Sequence, residues 1–206
     1  MTQNSEKQQL DNHSPGRSRW PLWLGMSWPV VIIALVWWFG FAGEDIHARD
    51  AQGWTPLMVA ANAGDYDRVV RLVNRGAEVD ALDNCRWTPM MRAAASGHLE
   101  IMEWLLEQGA DLHQRERTGY NALMAAVLNN QADTVHALLR HGAEVNVQEH
   151  NNGLTALMWA VSNNNPQMVE WLLDAGADPE LRNHAGETAA QLAMGTDMDT
   201  LLPCLR

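Results

Sequence analysis

Two cysteines in 206 residues, Cys85 and Cys204, leave this sequence without a disulfide framework, and nothing around them has the spacing of a zinc site or a redox pair. Its eight histidines, His13, His47, His98, His113, His136, His141, His150 and His184, show neither H-x-x-E-H nor H-E-x-x-H spacing. No serine or cysteine stands in a nucleophile-elbow context, and no glycine loop precedes a helix with a phosphate-binding lysine. Carboxylate pairs such as Glu100 and Glu103 fit a solvated helix surface. The expectation is a protein without catalytic residues, cofactor or metal, and therefore not an enzyme.

Positive charge is scarce as well. Lys7, Arg17 and Arg19 face Glu6 and Asp11 in residues 1–43, and the rest carries 11 arginines against 23 acids. An acidic body repels phosphate backbones, which excludes nucleic acid as the expected partner.

Charge is missing altogether from Trp20 to Gly43, the 24 residues WPLWLGMSWPVVIIALVWWFGFAG. A helix crossing a bilayer needs about 20 apolar residues. Trp20, Trp23 and Trp28 cluster at one end and Trp37, Trp38, Phe39 and Phe41 at the other, about 27 Å apart at about 1.5 Å per residue, as two interfacial belts require. Residues 20–43 are expected to form one transmembrane signal-anchor helix, kinked at Pro29. The competing expectation is a signal peptide cleaved after Ala42, since Pro29 leaves a short unbroken run and Gly40 and Ala42 are small. Basic residues precede the span and only Arg49 follows it closely, which places the N-terminus in the cytoplasm and residues 44–206 outside it, in the periplasm of a Gram-negative source. Residues 1–19 are polar and aperiodic, and are expected to be a disordered cytoplasmic tail.

The remainder repeats. Thr55-Pro56-Leu57-Met58-Val59-Ala60 recurs as Thr88-Pro89-Met90-Met91-Arg92-Ala93, Asn121-Ala122-Leu123-Met124-Ala125-Ala126, Thr155-Ala156-Leu157-Met158-Trp159-Ala160 and Thr188-Ala189-Ala190-Gln191-Leu192-Ala193, in steps of 33, 33, 34 and 33. A second series, Gly76-Ala77, Gly109-Ala110, Gly142-Ala143 and Gly176-Ala177, keeps the same register, and both absorb the extra residue between Glu149 and Gly153. Thr before Pro reads as an N-cap followed by the helical position where a missing N–H costs nothing. Leu72, Leu105-Leu106, Leu138-Leu139 and Leu172-Leu173 supply the core of a second helix, ended by a glycine suited to the left-handed conformation. Neither helix of such a pair can bury its face alone, so the units must stack.

These motifs resemble the ankyrin repeat family, whose unit of about 33 residues carries a Thr-Pro-Leu-His-x-Ala signature; the resemblance spans roughly residues 43 to 195. It implies an all-α solenoid of helix-turn-helix units with β-hairpin tips, here preceded by the transmembrane helix. Units are expected near 50–82, 83–115, 116–148 and 149–182, with 183–206 a degenerate cap. The family's His is Met58, Met91, Met124, Met158 and Gln191 in this chain. Thioethers favour Cu(I), but one methionine per unit sets successive sulfurs about 8 to 10 Å apart, too far to share an ion, so these are expected in the core. Arg86 stands where the second tip wants glycine and is expected to distort it, whereas Asn130 and Asn164, between helices, tolerate positive φ. Cys85 and Cys204 lie about three spacings of about 8 to 10 Å apart and are expected not to be bonded. Gly43–Asp50 parallels Gly76–Asp83, so the register begins where the apolar segment ends, without a spacer.

The resemblance also points to a concave surface that grips a protein partner. The residue before the signature is Trp54, Trp87, Tyr120, Leu154 and Glu187, and the three aromatics are expected to form either an exposed strip that anchors a partner or a ladder packed on itself. Gln52, Asn62, Asn129 and Asn163 match the family's contact surface, and Arg86, Arg92, Arg115 and Arg117 are expected to make the groove less acidic than the body. Two roles fit: accessory subunit or adaptor of a membrane-associated complex, with a membrane protein among the eligible partners, or immunity-type neutraliser of a toxic or secreted enzyme.

Overall fold

The computed structural model describes residues 45–194 together with Gly43. The tail 1–19, the apolar segment up to Ala42 and the end of the cap, Cys204 included, lie outside the described residues. Among the described residues no helix is long and apolar enough to cross a membrane.

Among the described residues four helix pairs and one single helix follow one another: α1 Pro56–Ala63 and α2 Tyr66–Asn74, α3 Pro89–Ser96 and α4 Leu99–Glu107, α5 Ala122–Leu128 and α6 Ala132–Arg140, α7 Ala156–Ser162 and α8 Pro166–Asp174, then α9 Ala189–Ala193. Each unit begins with the same local device. Thr55, Thr88, Asn121, Thr155 and Thr188 hold extended backbone, and each side chain accepts a hydrogen bond from the N–H three residues on. At the last of these Gln191 returns the bond to the Thr188 N–H, a full capping box, at the one position where the series has an amide instead of methionine.

The signature leucines and methionines close the core. Met58, Met91, Met124 and Met158 are buried, as expected, in the first helices, and Leu72, Leu105, Leu138 and Leu172 are buried in the second helices. First helices pack more tightly on one another than second helices do, so the stack curves toward the first helices and makes them its inner wall. The register extends back before α1. A turn in which the Ala48 N–H donates to the Asp45 carbonyl repeats as Ala81 to Glu78, and Arg49 Nη1 reaches the Leu82 carbonyl one unit on, at 2.6 Å.

The tips depart from the expected β-hairpins, for no strand occurs among the described residues. Across the mouth of each tip one backbone bond runs from the N–H of Asp50, Asp83, Glu116, Glu149 and Asn183 to the carbonyl of Trp54, Trp87, Tyr120, Leu154 and Glu187. The N–H that would return the second rung is taken instead by a side chain: Asp50, Asp83 and Glu116 accept from Trp54, Trp87 and Tyr120. A carboxylate thus competes with the ladder and wins. One backbone bond joins each pair of neighbouring tips, from the N–H of Asn84 to the Gln52 carbonyl, Arg117 to Cys85, His150 to Thr118 and His184 to Asn152. The extra residue widens the fourth tip by one position, so that Gly153 bonds back to Glu149.

Arg86 does not distort its tip. It adopts φ 70°, beside 81° for Gly53 and 92° for Gly119, and its N–H bonds Asp83 at 2.9 Å as Gly53 bonds Asp50. Asn130 and Asn164 also hold positive φ, as expected. Left-handed backbone costs a side-chain-bearing residue about 1–2 kcal/mol, part of which glycine returns through its freer unfolded chain. Arg86→Gly is therefore expected to raise stability by a few tenths to about 1 kcal/mol, read as a higher urea midpoint at unchanged slope.

Candidate functional site

The inner helices differ from everything around them in charge. Within a body of net negative charge, α1, α3, α5, α7 and α9 contain no carboxylate, and Arg92 in α3 is their one charged residue. That arginine organises the first half of the wall. Its guanidinium lies 4.2 Å from the ring centroid of Trp54 and 4.5 Å from that of Trp87, and Nη2 meets Asp83 Oδ2 at 2.5 Å. The Asp83 side chain is only 2% exposed and accepts two further bonds, from the Cys85 and Trp87 N–H groups. One carboxylate therefore shapes the tip and anchors the cation that lies against both indoles.

Trp54 and Trp87 are half-buried. They form neither a freely exposed strip nor a ladder stacked ring on ring, because Arg92 is held against both. The third aromatic pairs differently. Tyr120 lies against Trp159 of α7, ring centroids 6.4 Å apart. Sequence reasoning did not select Trp159, although it occupies the same repeat position as Arg92 and Val59; that shared position was the available signal. The Trp159 indole N–H is buried without a hydrogen bond, as is Arg92 Nε, and lies close enough to the Tyr120 hydroxyl to favour its phenolate slightly. Burial and the Glu149 and Glu116 carboxylates dominate and push the phenol's pKa up, which keeps it a neutral donor.

The remaining candidates differ in exposure. Gln52, Arg86 and Asn129 are exposed, Leu154 is half-buried against the core, and Asn62 accepts from Ser96 Oγ. Asn129 and Asn163 commit their amide N–H groups to the Ala125 and Val127 carbonyls, each at 2.8 Å, which leaves their side-chain oxygens as acceptors. Val59 and Leu128 add exposed apolar surface. Free positive charge is less than expected, since Arg92 is paired with Asp83 and Arg115 with Glu144. Arg117 spans to the Asn84 carbonyl of the preceding tip at 2.5 Å.

Glu149 holds the widened tip. Burial pushes its pKa up, but N–H groups of Asn151, Asn152 and Leu154, with His184 nearby, outweigh this and hold it below the ordinary glutamate value. A depressed carboxyl contributes stability that is complete above its unfolded value and is lost as pH falls through the folded one. Glu149→Gln is therefore expected to flatten the acid limb of the stability profile below about pH 4.5, measured as urea midpoints against pH; an unchanged limb would assign that limb to other carboxylates.

Among the described residues no group of histidine, cysteine and carboxylate is arranged to hold a metal ion, and Cys85 is a free, exposed thiol. Capped helix pairs stacked in register, with paired aromatics along one wall, define a solenoid repeat protein. A family model described as ankyrin repeats (3 copies) matches residues 32–116 and 108–183, and the chain belongs to the ankyrin repeat family. No curated protein matches the chain.

Proposed function

We propose that this chain is a membrane-tethered scaffold that binds a protein partner on its concave inner wall and performs no catalysis. Ankyrin repeats generally mediate protein–protein interaction. The observation that carries the site is the aromatic row along that wall, Trp54 and Trp87 around Arg92 and then Tyr120 against Trp159. Aromatic and arginine side chains held in place by their neighbours bind with little ordering cost, the property of interface hot spots. The carboxylate-free inner helices keep desolvation small around them.

Tethering rests on residues 20–43, whose 24 uncharged residues suit an anchor. The absence of a spacer before the repeat register favours an adaptor or accessory subunit of a membrane-associated complex over an immunity-type protein. Affinity capture with the detergent-solubilised full chain tests the reading. Wild type is expected to retain a partner that Trp54→Ser/Trp87→Ser/Tyr120→Ser loses by at least about tenfold, or about 1.4 kcal/mol. Full-strength capture by a folded triple variant would place the binding face elsewhere. A reporter active only in the cytoplasm, fused after Arg206, is expected to be silent, and strong activity would overturn the orientation.

A further inference from the structure

The outer wall carries a vacancy at a position where its neighbours carry tryptophan. Arg71, Trp104, Ala137 and Trp171 occupy one repeat position in the second helices. Each tryptophan leans on the preceding unit: Trp104 packs edge-on against Tyr66 at 6.2 Å, and Trp171 lies 5.3 Å from His136. At the third unit no indole exists to cover the equivalent place on α4. A cavity of 240 Å³ opens there, lined by buried Ala137 and by Leu99 and Trp171. Glu103 and Asp133 stand at its sides, with His136 and Arg140 completing it.

The surroundings set the chemistry of what fits. Helices α4, α6 and α8 carry Glu100, Glu103, Glu107, Asp133, Glu170 and Asp174 against Arg140 alone, the opposite of the inner wall. A guanidinium matches the indole, the apolar residues and the two carboxylates of the vacancy, against one opposing cation, Arg140. It is planar and stacks on an indole face, its methylene stem suits Leu99 and Ala137, and its N–H fork pairs with carboxylates. We propose that this notch is a second docking site, on the outer wall, for an arginine side chain presented by a basic segment of a partner protein.

The test uses the full chain in detergent and a fluorescein-labelled hexa-arginine peptide, followed by anisotropy at low ionic strength, where exposed charge is least screened. Saturable binding is expected. Ala137→Trp fills the notch without changing a charge and should weaken binding at least about tenfold. Ala137 is buried, so circular dichroism must accompany that variant, and Glu103→Gln/Asp133→Asn, at more accessible positions, serves as the second measure with the same expected loss. The control pair Glu78→Gln/Glu180→Gln removes equal charge from loops elsewhere and should leave binding unchanged. Unchanged affinity in Glu103→Gln/Asp133→Asn or in folded Ala137→Trp overturns the site. An equal loss in the control pair overturns it too, by showing attraction to bulk charge only.

Discussion

Truncating Leu105 to alanine is expected to cost about 2 to 5 kcal/mol, the range for a buried leucine whose surroundings cannot collapse into the hole. Leu105 is fully buried in α4 and belongs to a unit with neighbours on both sides. In a stack whose units touch only adjacent units, stability is a sum of repeat and interface contributions, so a cavity in an interior repeat weakens two interfaces. Leu172 is equally buried in α8, but only the short helix α9 follows it among the described residues. Leu172→Ala should therefore cost less than Leu105→Ala and leave the earlier units folded to higher urea. Equal losses with one sharp transition would show that the stack melts as a single unit.

Replacing Arg92 with alanine is expected to cost about 3 kcal/mol, near the lower end for breaking a buried ion pair. Asp83 would keep its charge at 2% exposure with no cation, and Trp54 and Trp87 would lose the guanidinium packed against them. The Cys85 and Trp87 N–H groups continue to solvate the carboxylate, which holds the loss below its upper range. A cycle with Asp83→Asn separates the contributions. Strong coupling is expected in the urea midpoints, and additive single losses would mean that the pair contributes nothing as a pair. Partner capture should fall along with stability in Arg92→Ala, because the rings it positions lose their fixed orientation.

Much of the fold was legible because its signals are local and recur. Thr or Asn before each first helix, methionine three residues on and leucine in the second helix form a short-range pattern, and repetition at a step of 33 or 34 turns weak propensities into a register. The tips were less legible. Hairpin strands were expected from the resemblance, yet Asp50, Asp83 and Glu116 take the N–H groups that strand pairing would use, a competition that depends on side-chain geometry. Arg86 was expected to strain its turn and instead adopts the glycine conformation, because the backbone bonds on either side of it impose that conformation.

The sequence by itself determined the repeat, its caps, the buried methionines and the side on which Trp54, Trp87 and Tyr120 fall, since each follows from spacing along one chain. Only the tertiary structure decided what those aromatics meet. Arg92 and Trp87 sit in the same unit but Trp54 belongs to the one before, and Trp159 reaches Tyr120 from the one after. Likewise, Ala137 becomes a notch only because α4 and α8 bring Leu99 and Trp171 to either side of it. Contacts between units depend on how far one helix pair is translated and rotated against the next. That displacement is set by the packing of the whole interface, and no residue encodes it alone.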